Sequence, residues 1–264
     1  MIGQERLRSK LSSYTLSDLP HSILLLGEDG CGKHTLINEL VSEYNMPLVD
    51  ISENISLELI EEISLKPIPT MYLIDVSKIT ERQQNVLLKF LEEPNQYTYI
   101  CLVAINKSYL INTVLNRCVI FEFETYTKEQ LRHFISDSSN IDKILDICST
   151  PGQIKSLTND LDSLEKLCDT IVEKLRTANY ANTLSIVNKI NLKDEFDKYD
   201  INLFFKVLLY SLYRHASVQY DKKYVEMYKF VSEYKKRLRD ARLNKEMFME
   251  NFLTSMREFV RWMK

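Results

Sequence analysis

The chain has no pair of cysteines at C-x-x-C spacing, and its five cysteines, Cys31, Cys101, Cys118, Cys148 and Cys168, are odd in number and far apart. That distribution argues against a disulfide framework and against a zinc site, and leaves reduced thiols as the expectation. No apolar run approaches the roughly 20 residues that cross a bilayer. The opening residues, MIGQERLRSK, lack the apolar stretch of a signal peptide. A soluble protein with a cytoplasmic address is expected. Strong charge of one sign is also missing: the formal net charge is −3, so the molecule as a whole is not a basic nucleic-acid binder. No internal repeat or low-complexity linker interrupts the sequence.

What is present is enough apolar material for more than one core: 264 residues, 45% hydrophobic and 27% charged, a length that suggests about two domains. Charge is unevenly spread. Residues 201–264 hold 14 Lys and Arg against 7 Asp and Glu, a net +7, which leaves −10 for residues 1–200. The positive segment could face DNA or a partner, but such charges more often fill the solvated sides of long helices.

The first half alternates short apolar runs with helical periodicity, the pattern of a parallel sheet with crossover helices. Residues 22–26, 47–51, 71–75, 99–104 and 119–123 are the expected strands, and 33–44, 57–64 and 81–91 the amphipathic helices. Strand patterns stop near residue 125. Three short helices are expected at 127–136, 141–148 and 151–160, the last with a proline in its first turn, and longer ones at 164–176, 203–213, 224–241 and 247–260. In the third of these, Tyr224, Met227, Val231, Tyr234, Leu238 and Ala241 recur at near-heptad spacing, an apolar seam that requires a partner helix.

Between the first strand and the helix after it lies Gly27-Glu-Asp-Gly-Cys-Gly-Lys33-His34, the strand–loop–helix context of a P-loop. In such a loop glycines let the backbone fold so that N–H groups converge on phosphate oxygens, the helix points its positive end at them, and a lysine, here Lys33, reaches the outer phosphates. The position after the lysine should supply a Ser or Thr hydroxyl to Mg²⁺, and it carries His34. Thr35 is turned by about 100° along the helix, and magnesium prefers oxygen to imidazole. The apolar run 71–75 ends in Asp75, as in a Walker B strand whose carboxylate supports Mg²⁺, but Val76 stands where an AAA+ protein places the glutamate that orients water.

The stretch Gln84-Asn-Val-Leu-Leu-Lys-Phe-Leu-Glu-Glu-Pro94 resembles the N-x-L-L-K-x-L-E-E-P signature of the bacterial AAA+ clamp-loader family, and Asn116-Arg117-Cys118 resembles its Ser-Arg-Cys motif. Ile2-Gly3-Gln4, Leu19-Pro20-His21, Glu61-Glu62-Ile63-Ser64 and Thr150-Pro151-Gly152 extend the likeness, which fades after about residue 160. The resemblance implies an α/β RecA-like AAA+ core with a parallel sheet at 1–124, a small helical lid at 125–162 and an all-α collar at 163–264 through which subunits form a hetero-pentamer. It also implies that Arg117 is an arginine finger acting in trans on a neighbour's ATP. Without the resemblance Arg117 would be read as a surface arginine, and Cys118 is read as a small buried residue.

The departures matter as much. His34, Val76, the apolar pair Ala104-Ile105 where a polar sensor is usual, and Gly152 where motor subunits carry a lid arginine all fall in one functional set, while Arg117 is intact. That combination resembles the delta-prime type of subunit, a stator that does not turn over ATP by itself. Gly27, Gly30, Gly32, Lys33, Thr35 and Asp75 would form a degenerate nucleotide site that binds ATP weakly or not at all. The four-cysteine zinc module usual in the family is missing from residues 36–70, so no zinc is expected. The implied partners are the other loader subunits, a sliding clamp reached through the complex, and primer-template DNA contacted through its phosphates, with Lys78, Arg82 and Lys89 as candidates. Two other readings compete: an active AAA+ replication ATPase with an unusual magnesium site, and a small-molecule P-loop kinase, for which Arg132 and His133 are too isolated to form a lid.

Overall fold

The computed structural model describes residues 2–136, 140–158, 160–177, 200–239 and 245–262. Its first half is a five-stranded, all-parallel sheet in the order β2-β3-β4-β1-β5. The strands are β1 (Ser22–Leu26), β2 (Leu48–Asp50), β3 (Thr70–Asp75), β4 (Thr98–Ala104) and β5 (Val119–Glu122). The three inner strands are buried on both sides, which is why their sequences SILLL, TMYLID and TYICLVA are nearly continuous apolar runs rather than alternating ones. Edge strand β2 is more exposed.

Because successive side chains point to opposite faces, the sheet divides its apolar residues into two layers. Ile23, Leu25, Met71, Leu73, Tyr99, Cys101 and Val103 pack with Leu7 and Leu11 of α1 (Glu5–Ser12) and Leu36, Ile37 and Leu40 of α2 (Lys33–Glu43). Leu24, Leu26, Tyr72, Ile74, Ile100, Leu102 and Ala104 pack with Ile60 and Ile63 of α3 (Leu57–Ser64) and Leu87, Phe90 and Leu91 of α4 (Glu81–Glu92). Helix α4 starts on a capping box: the Thr80 hydroxyl accepts from the Gln83 amide, and the Gln83 side chain accepts from the Thr80 amide. Two further elements were not anticipated in the sequence, α1 and the four-residue helix α5 (Asn112–Leu115).

The described residues separate into two compact units, one made of 1–134 with 150–152 and the other of 135–149 with 153–264. The first ends with α6 (Lys128–Arg132). This helix is shorter than the expected 127–136, since Leu131 is its one buried residue and Phe134 turns to meet the Tyr126 ring edge-on. The second unit is helical: α7 (Ile141–Ile147), most of α8 (Pro151–Thr158), α9 (Leu161–Thr177), α10 (Ile201–Gln219), α11 (Lys222–Lys236) and α12 (Lys245–Trp262). Helix α10 packs against α7, α9 and α11, and Leu203, Phe204, Phe205, Val207, Leu208 and Leu212 are all buried. The seam residues Tyr224, Met227, Val231 and Tyr234 are buried as well, so the partner that the heptad spacing requires lies within the chain. Helix α11 ends at Lys236, before the expected 241, because its last turn tightens into a 3₁₀ turn at Arg237–Arg239; Ala241 lies outside the described residues.

Among the described residues no helix is long and apolar enough to cross a membrane. No group of three or more His, Cys, Asp or Glu gathers there as a metal site.

Candidate functional site

The loop after β1 is built as its sequence suggests. Gly27 extends the strand, its amide donating to the Ala104 carbonyl at 3.1 Å. Gly30 and Gly32 take positive φ angles of 77° and 104°, and Gly32 sits at the N-cap of α2, a conformation that a residue with a Cβ resists.

Most of the loop's carbonyls are taken by donors from the same unit. Lys33 is only 7% exposed, and its ammonium donates to the carbonyls of Gly27 at 2.5 Å and Glu28 at 3.1 Å. The Thr150 hydroxyl donates to the Asp29 carbonyl at 2.8 Å, the Gly152 amide to the Gly30 carbonyl at 2.9 Å, and the Tyr126 hydroxyl to the Cys31 carbonyl at 2.7 Å. The segment 150–152 therefore clasps the loop. The approach is so close that a Cβ on Gly152 would lie 2.4 Å from the Gly30 Cα, and one on Gly30 would lie 2.7 Å from the Gly152 Cα. Glycine at 152 thus has a structural reason: a side chain there would collide with the Gly30 backbone while the clasp is closed.

The magnesium side of the site is equally distinctive. His34 and Thr35 are both exposed at the start of α2. Asp75 does end β3, but its Oδ1 accepts from the Ser77 amide at 2.9 Å and the Ser77 hydroxyl at 2.7 Å, capping the 3₁₀ turn that follows. Behind it, the Asp75 amide donates to the Ser52 hydroxyl, which donates in turn to Asp50. Partial burial works to raise the Asp50 pKa, but the Ser52 hydroxyl and amide, with the positive charge of Lys78 and His34 behind them, outweigh it and hold the carboxyl below its ordinary value. An imidazole, a displaced hydroxyl and a single carboxylate already serving as a cap do not fit the oxygen-rich set that Mg²⁺ requires. Ala104 ends β4 and Ile105 follows it, both apolar.

Arg117 stands beyond α5 and ahead of β5, away from its own loop in sequence and exposed. Its Nη1 donates to the Thr113 carbonyl at 2.7 Å and its Nη2 pairs with Glu92 at 2.5 Å. Burial pushes the neighbouring Cys118 thiol up to about 12, the behaviour of a packing residue rather than a nucleophile. Of the candidate DNA-contacting side chains, Lys78 pairs with Glu53 and Lys89 with Glu61, each at 3.8 Å, and Arg82 is exposed. Two positioning residues escaped the sequence reading. Gln4, 1% exposed, bridges both backbone groups of Glu124. Gln84, 3% exposed, donates to the Tyr109 carbonyl and accepts from the Ile111 amide, which fixes the start of α5 on α4. The only sequence sign for either was a glutamine inside a motif.

A parallel five-stranded sheet with a P-loop-like turn after β1, an acidic end to β3 and an all-helical C-terminal region is the AAA+ fold. The same fold is found in a DNA polymerase III gamma subunit-related protein from Thermotoga maritima, which superimposes with a TM-score of 0.51 at 17% identity over 98% of this chain and 99% of that one. Residues 49–127 match the family profile "DNA polymerase III, delta subunit". The delta' subunit of DNA polymerase III from Buchnera aphidicola subsp. Schizaphis graminum is 24% identical over 166 residues, covering 60% of this chain and 50% of that protein. The gamma subunit from Buchnera aphidicola subsp. Acyrthosiphon pisum is 25% identical over 170 residues, covering 51% and 47%. The chain spans about half the length of these curated relatives. The chain is thus distantly similar to the delta' and gamma subunits of DNA polymerase III.

Proposed function

We propose that this protein is a delta-prime-like stator of a DNA polymerase III clamp loader, impaired in ATP hydrolysis, which lends Arg117 to the ATP site of a neighbouring motor subunit while the loader places a sliding clamp on primed DNA. The observation that carries this reading is the clasped phosphate loop. Lys33, the group that should meet the outer phosphates, is satisfied by Gly27 and Glu28, and Gly152 lies directly against Gly30, whereas Arg117 is exposed on the molecule's surface. Completing a neighbour's site requires an arginine at the surface, where Arg117 lies, and does not require that Lys33 leave its carbonyl partners.

A fixed guanidinium brought to a transferring phosphoryl group neutralises charge that develops in the transition state, an effect of about 10³–10⁵ in rate in other NTPases. The purified chain is expected to show negligible ATP turnover. In a loader reconstituted with cognate motor subunits, clamp and primed DNA, Arg117→Ala is expected to fold normally and depress ATPase by at least about 10³-fold at the site it serves. Vigorous turnover by the verified monomer would instead favour an active ATPase with an unusual magnesium site. Titration with a fluorescent ATP analogue, with and without Mg²⁺, tests the loop directly: the expected binding is weak and insensitive to the metal.

A further inference from the structure

Arg117 does not wave in solvent. Its Nη2 meets Glu92 Oε1 at 2.5 Å and its Nη1 donates to the Thr113 carbonyl at 2.7 Å, so two of its donors are engaged within the chain and the remainder of the guanidinium fork is left for an acceptor from outside. Glu92 belongs to the last turn of α4, and Thr113 to α5. The two helices are locked to each other by the buried Gln84, which bonds Tyr109 and Ile111 on the approach to α5. The carboxylate therefore sits at a defined place relative to the backbone that carries the arginine. At 35% and 48% side-chain exposure the pair is too wet to contribute much to stability. Its consequence lies in removing rotamer freedom from a long side chain.

We infer that Glu92 is a positioning residue for Arg117, holding its guanidinium in a preset orientation from which the unengaged N–H groups meet the phosphate of a neighbouring subunit's nucleotide. This rests on the trans-acting role proposed above for Arg117. A group already ordered before the subunits meet need not be ordered in the transition state, and orientation lost by a misplacement of about 1 Å can cost on the order of 10²-fold in rate. Glu92 touches neither nucleotide nor metal; it acts through the arginine.

The test is a double-mutant cycle in the reconstituted loader, read as kcat and KM for ATP at the motor site. Glu92→Ala and the isosteric Glu92→Gln are each expected to lower kcat about 10-fold with KM unchanged, and thermal melting of the isolated chain checks that both fold. In the Arg117→Ala background the same changes are expected to have no further effect, since nothing remains for Glu92 to orient. A loss that persists in that background, or single variants that turn over like the unmodified loader, overturns the inference and leaves the role of Arg117 standing. An Arg117→Ala loader with full activity overturns both.

Discussion

At the scale of single residues, Gly152 is the point where the clasp meets the phosphate loop backbone to backbone. Its amide holds the Gly30 carbonyl, and the space where a Cβ would stand is filled by backbone rather than by a side chain that could move aside. Gly152→Ala must therefore displace one strand of the clasp. Overpacking of this kind costs about 1–3 kcal/mol, and the expected outcome is a lowered Tm together with faster amide exchange in residues 27–32, read by hydrogen exchange with mass spectrometry. Unchanged exchange there would show that the clasp does not hold the loop. Cys118 gives a second residue-scale expectation. With its thiol pushed up to about 12 by burial, it stays protonated through neutral and mildly alkaline pH, so labelling by a thiol reagent at pH 8 should be far slower than for a free thiol of pKa about 8.5. Cys118, read from the sequence as a small buried residue, is half-buried, whereas the close packing at Gly152 could not be read from neighbouring letters. Thr150-Pro-Gly152 was legible as a family-like triplet, and Gly152 as a missing arginine, but its contact with Gly30 joins positions far apart in sequence and appears only when the chain is folded. Glu92 was likewise visible as part of a Leu-Glu-Glu-Pro run without any sign that its carboxylate meets Arg117.

At the scale of elements, α9 and α10 are joined by a network of charge. Arg214 pairs with Glu165 at 2.6 Å and with Asp169, Asp169 also accepts from Ser211, and Lys143 of α7 reaches Glu165 at 3.1 Å. The side chains of Glu165, Asp169 and Arg214 are 12%, 29% and 36% exposed, between a surface pair and a buried one. Removing the shared cation by Arg214→Ala is therefore expected to cost on the order of 1–2 kcal/mol, read by urea unfolding of the helical unit's signal. Desolvation works to raise the Asp169 pKa, but hydrogen bonds from Ser211 and Arg214 and the charges of Arg214 and His215 outweigh it, leaving the carboxyl below its ordinary value. A depressed carboxylate adds stability that is fully present above its unfolded pKa, about 3.9, and is lost as pH falls through the lower folded value. The unmodified protein should accordingly lose stability below about pH 4, and Arg214→Ala should flatten that acid limb. The helices themselves were legible because a heptad-like seam and a 3.6-residue period report burial directly. Inner strands β1, β3 and β4 were legible for a related reason: lying within a covered parallel sheet, they cannot afford polar interruptions. Helix α5 escaped because its four residues bury a single side chain, Val114, too little for a period to show.

For the molecule as a whole, charge decides what the isolated chain can do with DNA. The C-terminal 201–264 segment is net +7, yet several of its cations are already matched within the chain: Arg214 to Glu165 and Asp169, Lys229 to Glu226, Lys236 to Glu233. Lys206 is turned to Ser149 and Gln153, and Arg237 lies over the Tyr234 ring. Such groups gain little from displacing counterions off a phosphate backbone, because each must first give up a partner or a packing contact. The remainder of the chain, at −10, repels the duplex at long range. Single molecules should therefore bind a primed duplex no better than a typical non-specific protein, at about 10⁻⁴–10⁻⁶ M in physiological salt, with affinity falling steeply as salt rises. Fluorescence anisotropy of a labelled primer-template across a salt series measures this. Reversing Lys206 or Arg214 should leave the anisotropy curve where it is, whereas, on the loader role proposed above, reversing the exposed Arg82 should weaken DNA binding by the reconstituted loader. Tight, salt-resistant binding by the monomer would place the DNA-contacting surface on this chain alone.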